Sequence, residues 1–146
     1  MKNYNELIAD LSDRLEMEIY PDINNVVTMK IENRVKIQLE SDSLEEFFLL
    51  GAYIAELPPG KFREHILKSA LKANHNINKK PEILSYMSRE NTLTLHRKFV
   101  ASTLTTDDLI EHIKSIVERA KKWQDAIEAG RSSPDDEVPD ITDGSG

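Results

Sequence analysis

The chain has 146 residues and a formal net charge of −7 at neutral pH, with an isoelectric point near 5.1. Apolar residues make up 39% and charged residues 31%, a balance typical of a globular protein with a hydrophobic core. The negative charge argues against nucleic acid and anionic membrane surfaces as partners. The absence of cysteine excludes disulfides, thiolate metal sites and thiol nucleophiles, and it fits a reducing cytoplasm.

Membrane insertion is not expected either. The N-terminal residues carry acids where a signal peptide needs an uninterrupted apolar run. The longest apolar run, Phe47–Ala55, has about half the length that spans a bilayer.

The first third of the chain predicts one helix followed by a hairpin. Residues 4–15 repeat apolar side chains at helical spacing. Residues 27–31 and 35–39 each alternate apolar with polar side chains, which indicates two strands with one buried face. Asn33 lies in the predicted turn between them and tolerates the positive φ that a tight turn requires.

The segment "FFLLGAYIAELPPG" predicts a third strand over about residues 44–53. Because it is apolar on both faces, we expect it to lie in the middle of the sheet with helices against it. Pro58 and Pro59 end the strand, since proline has no N–H to donate, and a helix is predicted over 61–73.

The rest of the chain predicts a second hairpin, over 83–87 and 92–99, and a long closing helix. Thr105 or Thr106 caps that helix and Gly130 ends it. The predicted fold is therefore α+β, in the order α-β-β-β-α-β-β-α, with a twisted, mostly antiparallel five-stranded sheet. We predict one domain over residues 1–130 and an acidic disordered tail over 131–146, whose deletion is expected to leave folding unchanged.

The sequence contains no recognisable catalytic or ligand-binding motif. No two histidines have the i, i+4 spacing of a helical metal site, and no glycine-rich loop precedes a helix. We therefore predict that the protein is not an enzyme and uses no metal or cofactor. Trp123 lies on the apolar stripe of the last helix, so core packing is its first interpretation and a partner contact its second.

Over about residues 4–129 the chain resembles the class I type III secretion chaperones of the CesT-like (Tir chaperone) family. The resemblance lies in three segments: "LLGAYIAELPPGKFREHILKSALKANH", "LSYMSRENTLTLHRKF" and "LIEHIKSIVERAKKWQDAI". It implies a cytoplasmic homodimer that holds the N-terminal segment of one or more secreted effectors in extended form. It also makes the secretion ATPase a candidate partner. A non-secretory interaction module of similar fold, as in the YbjN-like proteins, is the alternative.

The resemblance also suggests where the two partners bind. The first helix and hairpin are the predicted effector-binding surface, with these residues as candidates: Leu7, Ile8, Leu11, Leu15, Val27, Met29 and Ile31. The opposite face of the hairpin, with Val26, Thr28 and Lys30, stays open as the alternative. The predicted dimer interface comprises residues of the second helix and the strand after it: Ile66, Leu67, Ala70, Leu71, Leu84 and Tyr86.

Overall fold

The computed structural model describes residues 3–76 and 80–138. Its three helices are α1 (Tyr4–Leu15), α2 (Lys61–Ala73) and α3 (Thr106–Glu128). Its five strands are β1 (Val26–Ile31), β2 (Val35–Ser41), β3 (Phe47–Glu56), β4 (Ile83–Met87) and β5 (Thr92–Val100).

The strands form one antiparallel sheet in the order β1-β2-β3-β5-β4. The predicted α+β fold and element order are confirmed, and β3 is the middle strand, as its composition indicates. Glu32 and Asn33 both have positive φ, 54° and 55°, as the tight turn of the first hairpin requires.

The helices bury only one face of the sheet. Along β3 the side chains of Phe48, Leu50, Ala52 and Ile54 are at most 4% exposed, whereas the residues between them are half-buried or exposed. The expectation that helices lie against both faces of this strand is wrong. Residues of α1, α2 and α3 join the same core cluster, and Trp123 of α3 is fully buried in it.

Tyr4 attaches α1 to the start of the first hairpin. Its buried hydroxyl group donates its single proton to the carbonyl oxygens of Asn25 and Leu39, which share it at 2.8 and 2.9 Å from the hydroxyl oxygen. Its ring packs on Phe48 with 5.3 Å between the centroids. Burial, with the nearby carboxylates of Glu40 and Asp22, raises the pKa of Tyr4 well above its ordinary value, so the hydroxyl keeps its proton.

The segment after α3 packs back onto the domain. Residues 131–138 return along α3, and the Glu137 side chain is fully buried against Arg119. The structure differs here from the predicted disordered tail, because a carboxylate that pairs with a buried guanidinium can order a segment with few apolar side chains. The remaining residues of the predicted tail, 139–146, lie outside the described residues.

Substituting Tyr4 by Phe should lower the free energy of unfolding by about 1–2 kcal/mol, since the carbonyl groups of Asn25 and Leu39 lose the proton that they share. Urea denaturation followed by circular dichroism measures this. The matched control is Tyr20→Phe, at a side chain that is 76% exposed, and it should leave stability unchanged. Equal effects at the two tyrosines would contradict the anchoring role of Tyr4.

Truncation before Arg131 should lower the free energy of unfolding by about 1–3 kcal/mol, because the charge-assisted hydrogen bonds of Glu137 are lost. Truncation after Val138 should change it by less than about 0.5 kcal/mol, the usual range for surface changes. Equilibrium unfolding of the two shortened chains and of the full chain measures both changes in the free energy of unfolding. Equal stability of both would show that the segment over 131–138 contributes nothing to the fold.

Candidate functional site

The two edge strands of the sheet, β4 and β1, differ in how far the chain covers their outward backbone groups. At the β4 edge, the side-chain amide of Asn74 forms a pair of hydrogen bonds with the backbone of Leu84: its nitrogen donates to the carbonyl at 2.9 Å, and its oxygen accepts from the N–H at 2.8 Å. Asn74 directly follows α2, so the helix end covers this edge at Leu84, one of the two residues of the short strand β4 that direct their backbone groups outward. Covering of this kind blocks pairing with another strand.

The β1 edge is covered only at its first residue. The Asp22 carboxylate accepts from the N–H of Val26 at 2.9 Å, and the Asp22 N–H donates to the Val26 carbonyl at 2.9 Å. Along an antiparallel strand, every second residue directs its backbone groups to the same side. The N–H and C=O groups of Thr28 and Lys30 therefore face the free edge, where the described part of the chain places no further strand. Both residues are exposed.

The helix-free face of the sheet adjoins this edge. A shallow depression of about 300 Å³ lies over β2, β3, β5 and β4. Gly51, which pairs with Gln38 on one side and His96 on the other, leaves its floor without a side chain. The walls include Leu49, Tyr53 and Met87, so the depression is largely apolar.

Lysine side chains lie across aromatic rings on this face. The Lys36 ammonium is 4.5 Å from the centroid of the Tyr53 ring, and the Lys98 ammonium is 4.2 Å from that of Phe47. Their aliphatic stems cover apolar surface while the charges stay in water. Phe47 is still 38% exposed and its cross-strand partner Val100 is 51% exposed. The face therefore offers apolar contacts that the chain itself does not use.

His96 is the titratable group within the depression. Its Nδ1 lies 3.3 Å from the Ser85 hydroxyl oxygen, and partial burial lowers its pKa below the ordinary value. The imidazole is therefore neutral at physiological pH. No third residue orients this pair for chemistry, and no group of three or more potential metal ligands occurs in residues 3–76 and 80–138.

Most of the predicted effector-binding residues belong to the core of the domain. The side chains of Leu7, Ile8, Leu11, Val27 and Met29 are at most 4% exposed, so they form no free surface in this conformation. The apolar stripe of α1 and the inner face of β1 both belong to the core cluster of the domain. That these five residues bind an effector stays a prediction.

Leu15 and Ile31 are only partly buried against the core. In the sequence, the alternation of apolar and polar residues within β1 places Thr28 and Lys30 on the side opposite the buried residues. This pattern identifies the outer face of the strand. Leu49 and Tyr53, which form part of the open face, are not among the predicted site residues, because the sequence predicts a strand that is covered on both sides.

The predicted dimer residues divide between core and surface. Ile66, Ala70 and Leu84 are at most 5% exposed in the single chain. Leu67 is partly buried, and Leu71, one helical turn further on, is 67% exposed. These two leucines form an apolar flank of α2.

The last predicted dimer residue, Tyr86, is held within its own chain. Its hydroxyl group accepts from Arg63 at 3.0 Å and donates to Asn91 at 2.7 Å.

Among the described residues, no helix is long and apolar enough to cross a membrane.

Comparison with solved structures shows the same fold in several complexes. The "ExsC-ExsE Complex" matches with 18% identity and a TM-score of 0.72, over 83% of this chain and 90% of that one. The "HopA1-SchA Chaperone-Effector Complex" matches with 21% identity and a TM-score of 0.69, over 84% and 94% of the two chains. The heterodimeric ExoU-SpcU complex from the type III secretion system of Pseudomonas aeruginosa matches with 13% identity and a TM-score of 0.62, over 81% and 95%.

A comparison with curated protein sequences finds no significant match. The profile of one protein family, by contrast, matches residues 6–124, which is most of the chain. The chain belongs to the Tir chaperone protein (CesT) family.

Proposed function

We propose that this protein is a cytoplasmic bacterial chaperone of type III secretion. It binds the N-terminal segment of one or more secreted effectors in extended form and keeps them soluble and ready for export. Membership of the CesT family supports this class of function. The observation that carries the proposal is the unpaired edge of β1 next to a helix-free, partly apolar sheet face.

An extended segment can add to β1 as a sixth strand. Its backbone would pair with the outward N–H and C=O groups of Thr28 and Lys30, and every second side chain would point to the open face of the sheet. Because backbone groups supply the hydrogen bonds, such a site tolerates different sequences. It therefore suits a chaperone that serves more than one effector.

Binding of this kind involves no covalent chemistry. We propose that the protein is not an enzyme and needs no cofactor for holding its effector. The uncharged His96 and the lysines across Tyr53 and Phe47 serve a surface that must accept apolar side chains without aggregating.

We also propose that the protein is a homodimer that associates through the Leu67–Leu71 flank of α2. An exposed leucine beside a half-buried one on an otherwise packed helix is a modest apolar patch, and pairing it with its copy removes it from water. A dimer presents two β1 edges, so one effector chain that contacts both gains affinity by multivalency.

Tagged protein purified from the cells that encode it should bring down one or a few secreted proteins, held through their N-terminal segments. Thr28→Pro should reduce this recovery at least tenfold, because proline removes the outward N–H while an edge position tolerates it. Thr28→Ala keeps the N–H and should recover the same proteins as the wild type. Mass spectrometry of the eluates identifies them.

Recovery of non-secreted proteins alone would contradict the chaperone function and favour a non-secretory interaction module of the same fold. Recovery of a secreted protein by folded Thr28→Pro at the wild-type level would contradict only the role of the β1 edge.

Leu71→Glu should raise the dissociation constant of the dimer at least tenfold, since it places charges on an apolar interface. Thermal stability of the protomer should stay close to wild type, because the side chain is 67% exposed in the single chain. Analytical ultracentrifugation measures the dissociation constant. Leu44→Glu, at a side chain that is 75% exposed, is the control and should not affect association.

A further inference from the structure

The cleft between α3 and residues 80–82, just before β4, contains a carboxylate-binding site filled by the chain's own C-terminal segment. Arg119, which is 5% exposed, donates from Nε to both Glu137 carboxylate oxygens, at 3.0 and 3.1 Å, and from Nη2 to one of them at 2.7 Å. Lys80 contacts the same carboxylate at 3.5 Å. A planar guanidinium bound in this way selects a carboxylate by geometry as well as by charge.

The rim of the cleft binds the preceding residue. The Asp136 carboxylate lies 3.2 Å from the Lys80 ammonium and 3.4 Å from that of Lys122. Burial alone would raise the pKa of Asp136, but the hydrogen bonds and charges of the two lysines outweigh it and lower the pKa below its ordinary value. In a chain of net charge −7, these three cations make a local site for acids.

Contacts between Arg119 and Glu82 hold the cleft in place without its occupant. The Nη1 of Arg119 donates to the Glu82 backbone carbonyl at 2.6 Å and lies 3.4 Å from the Glu82 carboxylate. Glu82 is 4% exposed, so Arg119 keeps a buried partner of opposite charge when Glu137 leaves. The cost of an unpaired buried charge, which usually fixes such a segment in place, is therefore reduced.

The segment itself is weakly attached elsewhere. Of residues 131–138, only Pro134 and Glu137 are buried. The Ser132 hydroxyl lies 3.2 Å from that of Ser69 on α2, and a contact between two hydroxyl groups contributes little. Gly130, with φ of +79°, ends α3: its N–H donates to the Ile127 carbonyl at 3.0 Å, and the N–H of Arg131 donates to the Ala126 carbonyl at 2.8 Å, so the segment that can leave begins after Arg131.

We propose that the cleft formed by Lys80, Arg119 and Lys122 is an exchangeable binding site for acidic peptide segments. Residues 134–138 fill it in the free protein, and an acidic segment of a partner protein replaces them. The chain's own segment acts as a tethered competitor, whose effective concentration is in the millimolar range for a short linker.

The test uses the full-length chain carrying Asp136→Asn and Glu137→Gln, which weakens self-docking but keeps the cleft. The probe is a fluorescein-labelled peptide with the sequence of residues 131–138, RSSPDDEV, titrated in an anisotropy assay. The double variant should bind it at least tenfold more tightly than the wild type, and raising the salt concentration should weaken binding. A peptide with Asn-Asn-Gln at the three acidic positions should not bind.

Two single substitutions in the background of the double variant locate the site. Lys122→Ser should reduce binding at least fivefold, whereas Lys114→Ser, at an exposed lysine of the same helix that pairs with Glu111, should not. No binding by the folded double variant, or equal binding by the wild type, would overturn the proposal. So would equal binding of the neutral peptide, or equal effects of the two lysine substitutions.

Hydrogen exchange of the wild-type protein tests the same proposal without a variant. Backbone amides of residues 136–138 should exchange at least a hundredfold faster than those of residues 119–123 in α3, since the segment opens without unfolding of the domain. Exchange of both sets at the same slow rate would show that the segment leaves only on global unfolding, and the cleft would then not be exchangeable.

Discussion

The placement of all the helices against one face of the sheet determines the rest of this structure. An antiparallel sheet needs only one covered face to be stable, and here α3 packs on β2, β3 and β5 and α2 packs on β4, while α1 joins the same core cluster. The opposite face keeps half-exposed aromatic and aliphatic side chains, among them Phe47 and Tyr53. The core of this domain is fully buried, but one face of the sheet keeps apolar side chains that the described residues do not cover. Such a face suits a protein that holds another chain.

The same one-sided construction explains why the two sheet edges differ. Asn74, at the end of α2, forms two hydrogen bonds with Leu84 and occupies the β4 edge. No helix end reaches the β1 edge in the described part of the chain, and Asp22 covers only Val26. Exposed strand edges favour aggregation, and a lysine on the edge counteracts it. Lys30 lies on the uncovered β1 edge, so this edge suits the binding of a chosen partner strand.

Charge is distributed unevenly over the acidic body. Lys36 and Lys98 cross the apolar face with their charges in water, and around Arg119 a guanidinium and two ammonium groups contact the carboxylates of Asp136 and Glu137. Desolvation offsets part of the attraction within a buried ion pair. The Arg119–Glu137 pair therefore adds a modest stabilisation to the domain and also specifies where the C-terminal segment docks.

The sequence by itself determined the order and type of the elements. The apolar alternation of residues 27–31 and 35–39 and the long stripe of α3 each follow from local periodicity. Only the tertiary structure decided which apolar residues lie in the core, because periodicity shows that Leu11 and Met29 are on an apolar side but not that both are buried. The tertiary structure also decided that Glu137 is buried, because a carboxylate in a polar segment docks only where a distant guanidinium lies buried and within reach.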